Sequence, residues 1–256
     1  SVETLGCTTV ICTDKTGTLT TNEISVTRIF VNGKIIHVSG ARYEHAGNFY
    51  FRGMGISRGE MMENGMDTLF DACVLCNNAG LIPPKTDTDR WSIIGDPTEA
   101  AMLVMATKGG LDIEERRDAL PRIGQLPFEA VRKRMTSVNL ADGQPHAYVK
   151  GAPREVLELC TQILNKGKGE SLTDSMRNII LSKNDSMARD GLRVLGVAYR
   201  PLDFSENFTV ENTEKDLIFL GLVGMMDPPR PEVPKAIKAC HNAGIRVAMI
   251  TGDYGL

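Results

Sequence analysis

Aromatic side chains are scarce in this chain: they make up 5% of the residues, with a single tryptophan. No apolar run is long enough to cross a bilayer, so the residues describe a domain that works in water. Charge of one sign is also missing. The 29 Lys and Arg nearly balance the 32 Asp and Glu, leaving a net charge of -3, and a nucleic-acid partner is not expected. The six cysteines follow no disulfide spacing and no secretory leader precedes them, which points to a reducing compartment. Cys73-x-x-Cys76 lacks the second pair that a zinc site needs. Its neighbours Leu69, Ala72, Val74 and Leu75 describe a buried helix instead. No Gly-x-x-x-x-Gly-Lys-Ser/Thr string occurs, which removes an ordinary P-loop.

What is present is enough apolar material, 42% of 256 residues, for one large domain or two smaller ones. The chemistry is densest at Asp14-Lys15-Thr16-Gly17-Thr18-Leu19-Thr20. Val10-Ile11-Cys12 reads as a buried parallel strand that delivers the Asp14 carboxylate to its carboxyl end, where open α/β sheets bind ligands. Lys15 adds a cation, and Gly17 lets the backbone approach an anion without a Cβ in the way. Thr16 and Thr18 offer hydroxyls and amides to phosphate oxygens. A carboxylate in that company is suited to attack a phosphoryl group and form an aspartyl phosphate.

Beyond Asn22 the pattern changes. Residues 24–31 and 34–38 alternate around Asn32-Gly33, an antiparallel hairpin that opens an inserted domain. Residues 40–65 show no period and read as irregular, and 67–77 read as a helix. Asp96 and Pro97 start another helix as N-cap and first residue. Glu99 in its first turn either complements the helix dipole or accepts from an adenine amino group. Phe128, followed by Arg132, Lys133 and Arg134, reads either as a base-stacking ring with phosphate cations or as a core ring before a solvated basic turn. A second hairpin, around Asp142-Gly143, ends in Lys150-Gly151-Ala152-Pro153, a floor that a flat ligand can approach or a plain strand-to-helix corner. Residues 175–189 form a helix stopped by Gly191, and Arg193 on the next strand faces solvent or clamps a phosphate. A long apolar strand, 217–226, runs into the stiff connection Asp227-Pro228-Pro229-Arg230. A helix over 232–242 and a buried strand over 245–250 then deliver Thr251-Gly252-Asp253 to a carboxyl edge, as the first strand delivers Asp14.

Five separated blocks resemble the P-type ATPases, a branch of the haloacid dehalogenase superfamily, and within it the calcium-pump-like type II cation pumps. They are Asp14 to Thr20, Gly95 to Ala101, Phe128 to Met135, Lys150 to Pro153, and Asp227 to Arg230 with Thr251 to Asp253. The resemblance implies an α/β plus α+β chain. A haloacid dehalogenase-like phosphorylation domain, residues 1–23 and 229–256, would hold an inserted nucleotide-binding domain, residues 24–228, built on an antiparallel sheet flanked by helices. It implies that ATP phosphorylates Asp14, with Lys15 beside it. Asp14 and the Thr16 carbonyl would be magnesium ligands, and Thr18, Thr251 and Gly252 would hold the phosphoryl group, with Asp253 next to them. Phe128 would stack on adenine, Glu99 would meet its amino edge, and Lys150 and Gly151 would line its pocket. Lys133 and Arg193 would meet phosphates. The family has an Arg where this chain has Ala130, so either a phosphate-facing cation is missing here or Arg132 or Arg134 stands in.

The implied activity is ATP-driven transport of a cation, calcium by resemblance. The membrane and actuator domains of the same pump would be partners at the cytosolic face of a membrane. The family's Gly-Asp-Gly-x-Asn-Asp block is not among these residues, so this stretch is expected to be a soluble monomer that binds nucleotide without turning over. Two alternatives remain: a free-standing phosphatase of the dehalogenase type, and an ATP-sensing module without catalysis. The phosphatases carry Asp-x-Asp, whereas Thr16 here cannot serve as the second acid, which favours a longer-lived phosphoenzyme.

Overall fold

The computed structural model describes residues 6–40, 43–86, 91–205 and 207–250. In chain order the elements begin with β1 (Val10–Asp14), a wide turn over Lys15–Leu19, β2 (Ser25–Val31), β3 (Lys34–Val38), β4 (Phe49–Phe51) and β5 (Met54–Gly55). Next come α1 (Arg58–Glu63), α2 (Met66–Leu75), β6 (Gly80–Ile82), β7 (Ser92–Ile94), α3 (Pro97–Lys108) and α4 (Ile113–Ala119). They are followed by β8 (Arg122–Glu129), β9 (Arg134–Ala141), β10 (Gln144–Gly151), α5 (Pro153–Glu158), β11 (Cys160–Asn165), β12 (Lys168–Ser171) and α6 (Asp174–Arg189). The last are β13 (Arg193–Pro201), α7 (Val210–Thr213), β14 (Leu217–Met226), α8 (Val233–Asn242) and β15 (Arg246–Ile250). These elements divide into a continuous unit, Ser25–Met226, and a split unit made of Ser1–Ile24 and Asp227–Leu256.

The continuous unit is an α/β domain on one large sheet of order β5-β4-β3-β2-β14-β13-β10-β9-β8, antiparallel along that path. Its hairpins follow from local chemistry. Asn32-Gly33 and Asp142-Gly143 take left-handed φ values at both turn positions, the geometry that two-residue turns require. β14 is long enough to pair β11 in parallel at Leu217 to Phe219 and β2 at Leu222 to Met226. Consecutive residues Val197 and Ala198, and again Leu222 and Val223, are fully buried, so both faces of the central strands are covered. Met66 and Leu69 of α2 and Met102, Leu103 and Met105 of α3 are buried on the sheet. Val156 and Leu157 of α5 and Ile180 and Met187 of α6 join Phe219 and Leu222 in a second cluster. Each such side chain contributes roughly 1.5–3 kcal/mol by leaving water.

Residues 40–65, expected to be irregular, contain β4, β5 and α1. Strands of two and three residues are too short to show a period. α1 had a local signal: the Ser57 amide donates to Glu60 Oε2 at 2.8 Å while Ser57 Oγ accepts from the Glu60 amide at 3.3 Å, a reciprocal cap. α4, β11 and β12 were likewise not anticipated. Cys73 and Cys76, in and just after α2, are fully buried, and burial pushes both thiols up in pKa. No group of three or more metal-ligating side chains occurs among the described residues.

In the split unit, β1 pairs β15 in parallel, with Asp14 opposite Ile250. Both strands were expected to be buried, and that is corrected here. Ile11 is 37% exposed and Ile250 62%. Among the described residues these two strands pair with no third strand, and α8 packs against β15. Its Val233, Ile237 and Cys240 are half-buried, the least exposed positions of that helix.

Candidate functional site

Two sets of side chains carry chemistry, one in each unit. In the split unit β1 ends at Asp14, and the chain turns at once through Lys15–Leu19, with Gly17 at φ +77°. The turn is closed by Thr20, whose amide donates to the Lys15 carbonyl at 3.0 Å and whose hydroxyl accepts from the Gly17 amide at 3.1 Å. Asp227 and Arg230 hold it from the other segment. The Asp227 carboxylate accepts from the Thr20 hydroxyl at 2.5 Å, the Thr21 hydroxyl at 3.4 Å and the Glu23 amide at 3.2 Å. The Arg230 guanidinium donates to the carbonyls of Gly17 at 2.8 Å and Thr18 at 3.2 Å, and its amide to that of Leu19 at 2.9 Å. The Asp14 carboxylate itself is exposed, and among the described residues it has no hydrogen-bond partner. The loop is therefore held by its backbone while its acid stays free. Thr16 and Thr18 are exposed on the same turn. Thr251, Gly252 and Asp253 lie outside the described residues; Ile250, the residue before them, is the one that pairs with Asp14.

In the continuous unit, Asp96 caps α3 by accepting from the amides of Thr98 at 2.7 Å and Glu99 at 3.2 Å. The cap fixes the first turn and with it the Glu99 carboxylate. Glu99 Oε1 accepts from Lys150 Nζ at 2.7 Å, and Oε2 accepts from the Asn78 amide at 2.8 Å. Lys150, at the end of β10, is nearly buried. Arg193 opens β13 and donates to Thr98 Oγ1 at 3.0 Å. Glu99, Lys150 and Arg193 thus gather at the start of α3. Phe128 lies at a bulge near the end of β8, 64% exposed, two strands from Lys150 through the Met135–Lys150 pair of β9 and β10. Two strand spacings are about 9–10 Å. The ring is thus open to solvent, and the core alternative for it does not hold.

Two expectations meet a different arrangement. Arg132 was expected to face nucleotide phosphate in place of the missing arginine. Its guanidinium instead donates to Glu129 Oε2 at 2.8 Å, Glu214 Oε1 at 2.6 Å and the Pro127 carbonyl at 2.7 Å. Arg134 is drawn to Glu214 as well, at 2.6 Å. Burial works against the Arg132 charge, yet the bonds to Glu129 and Glu214 hold its pKa up. Gly151 was expected to admit a flat ligand. The close approach it permits is that of the chain: a Cβ there would lie 2.5 Å from the Lys133 carbonyl oxygen. Lys133 keeps an exposed ammonium, paired with Glu155 at 2.6 Å, and that bond lowers the Glu155 pKa. A cavity of about 720 Å³ lies elsewhere in this unit, lined by Lys34, Phe51, Met54 and Glu63 among others, and none of the expected nucleotide residues lines it.

A family model described as "P-type ATPase, cytoplasmic domain N" matches residues 65–232, more than half of the chain. The chain belongs to the P-type ATPase family. It is 40% identical over 255 residues to the calcium-transporting ATPase of Bacillus subtilis (strain 168), and 38% identical over 261 residues to the cation-transporting ATPase pma1 of Synechocystis. It is 35% identical over 303 residues to the endoplasmic reticulum-type calcium-transporting ATPase 2 of Arabidopsis thaliana. Each match covers 99% of this chain and 28% of the relative, so the chain spans little more than a quarter of the P-type ATPases it matches. No helix among the described residues is long and apolar enough to cross a membrane. Within this P-type ATPase segment, sequence reasoning missed Asn78 as a partner of Glu99, Asp227 and Arg230 as the holders of the Asp14 turn, and Glu214 beneath the basic turn. Their partners lie 21 to more than 200 residues away, beyond any local pattern.

Proposed function

We propose that this chain is the ATP-handling part of a cation pump, probed best through its phosphoenzyme: the continuous unit binds ATP, and Asp14 of the split unit accepts its terminal phosphoryl group. The split unit is then the phosphorylation domain, of haloacid dehalogenase type, and residues 25–226 are its inserted nucleotide-binding domain. The observation that carries the reading is the Asp14 turn. An exposed carboxylate at the carboxyl end of a parallel strand is left uncommitted while Asp227 and Arg230 fix the backbone around it. A nucleophile needs that combination of held position and free oxygen.

Phe128 stacks on the adenine, and Glu99, oriented by Asn78 and Lys150, accepts from its amino group. Lys150 and Gly151 bound the base, while Lys133 and Arg193 meet the phosphates. Lys15, Thr16, Thr18, Thr251, Gly252 and Asp253 surround the transferred group. Magnesium suits the donors at Asp14, hard carboxylate and carbonyl oxygens, with the Asp14 carboxylate and the Thr16 carbonyl as ligands. When bound, it neutralises charge on the phosphates. The proposed partners are ATP and the membrane and actuator domains of the same pump, at the cytosolic face of a membrane. The transported ion is proposed to be calcium, as named for two of the relatives. The test is incorporation of γ-labelled phosphate into the full-length pump across a panel of cations. Acid-stable label that depends on Asp14 and is stimulated by calcium supports the reading. Equal label in Asp14→Asn overturns it.

A further inference from the structure

The turn between β8 and β9 carries two of the groups assigned above to the nucleotide, Phe128 before it and Lys133 at its last position. Ala130 and Val131 within it are exposed, and Val131 is 84% exposed. What holds the turn lies far along the chain. Glu214, in the segment leading to β14, has a side chain with no exposure at all. Its Oε1 accepts from Arg132 Nη1 at 2.6 Å and from Thr136 Oγ1 at 2.7 Å, and its Oε2 accepts from Arg134 Nε at 2.6 Å. Arg134 Nη1 also donates to the Arg132 carbonyl at 3.0 Å. The residue between the two arginines, Lys133, takes a left-handed φ of +51°. Its amide donates to the Glu129 carbonyl at 2.7 Å, and its carbonyl accepts from the Ala152 amide at 2.9 Å. Its ammonium lies on the outside, paired with Glu155 Oε1 at 2.6 Å, with a side chain 58% exposed.

We propose that Glu214 is a positioning residue for the nucleotide phosphates: it draws Arg132 and Arg134 inward and leaves Lys133 as the cation this turn presents. The inference rests on the assignment of Lys133 and Phe128 to ATP. A carboxylate out of reach of water is costly unless its oxygens are paired, so Glu214 and the two arginines hold one another. Guanidinium forks fix direction as well as distance, which a single ammonium does not. The backbone of the turn is thereby set from both sides of Lys133. With alanine at position 130 and both arginines engaged, the phosphate selectivity of this turn depends on where Lys133 points.

The experiment is calorimetric titration of this 256-residue chain with ATP and with adenosine, read as the ratio of the two dissociation constants. Lys133→Ala lowers the preference for ATP about tenfold, the size of one good ionic contact. Glu214→Gln, which keeps the shape and loses the charge, lowers it about fivefold and moves the adenosine constant less than about twofold. Thr136→Val, the milder change, lowers it about twofold. An unchanged ratio in both variants overturns the positioning role. So does a raised ratio, because the freed arginines would then reach the phosphates themselves. So does an equal loss for ATP and adenosine, which is what mere structural support predicts. Where Glu214→Gln does not fold by circular dichroism, Thr136→Val decides alone. Absence of nucleotide affinity in the unsubstituted chain, or an intact ratio in Lys133→Ala, overturns the nucleotide assignment and takes the inference with it.

Discussion

The two units treat apolar side chains in opposite ways. In residues 25–226 the helices α2, α3, α5 and α6 cover both faces of the central strands, and Leu69, Leu103 and Phe219 see almost no solvent. In the split unit, Val10, Ile11, Met249 and Ile250 are all exposed on a sheet of two strands. Yet the split unit holds the turn after Asp14 by hydrogen bonds through Thr20, Asp227 and Arg230. The continuous unit gets its stability from packing and spends polar contacts on aiming a few side chains. The split unit organises a loop with polar contacts and has little packing to support them. Rigidity at a site and depth of core are separate properties.

The largest effect expected from breaking this comparison is chemical. Asp14→Asn in the full-length pump is expected to lower phosphate labelling by more than about 100-fold while nucleotide affinity stays within about twofold, because the proposed acceptor and the proposed nucleotide residues lie in different units. Labelling assays beside titration with ATP check this. Loss of both together would refute the division of labour. Next is the core. Leu69→Ala removes a fully buried side chain and costs about 2–5 kcal/mol in urea unfolding followed by circular dichroism. Ile11→Ala, at a 37% exposed position, costs under about 1 kcal/mol. Equal losses would mean that the split unit has a core of its own. A third test addresses the clamp. Arg230→Ala frees the carbonyls of Gly17 and Thr18, so labelling falls roughly tenfold with nucleotide affinity unchanged. A fall in affinity instead would place Arg230 with the nucleotide.

The smallest expected effect is titration within the continuous unit. Burial lowers the pKa of His146 below its ordinary value, so the unfolded chain takes up a proton first as pH falls. The stability tied to the neutral ring is complete above about pH 6.5 and is lost as pH drops through that value toward the folded pKa. The loss is of the order of a few tenths of a kcal/mol, since the ring keeps part of its solvent. Unfolding midpoints at pH 7 and pH 5 measure it, and His146→Gln flattens the difference. A steeper fall in the variant would assign the dependence to other groups.

Much of this molecule was legible along the chain. Asn32-Gly33 and Asp142-Gly143 announce hairpins because only a few residue types tolerate two left-handed positions in succession. Asp96-Pro97 announces α3 because its cap is satisfied within three residues. The string from Asp14 to Thr20 announces a tight turn at the end of β1 because Gly17 within it takes the left-handed φ that such a turn needs. The misses share a cause. β4, β5 and β12 are shorter than the period that would reveal them. The exposure of β1 depends on how many strands flank it, which no window around Val10 records. The tasks of Arg132 and Gly151 depend on Glu214 and on the Lys133 carbonyl, which local spacing does not locate.

By itself, then, the order of residues determined where α3 and the two tight hairpins begin, and that a sheet of antiparallel strands interrupts a parallel one, since these are settled by neighbours a few bonds away. Tertiary structure alone decided which cation of the basic turn faces outward, what holds the Asp14 loop, and which strands are covered. Those outcomes rest on contacts between segments up to about 200 residues apart, and such contacts exist only once the chain has closed on itself.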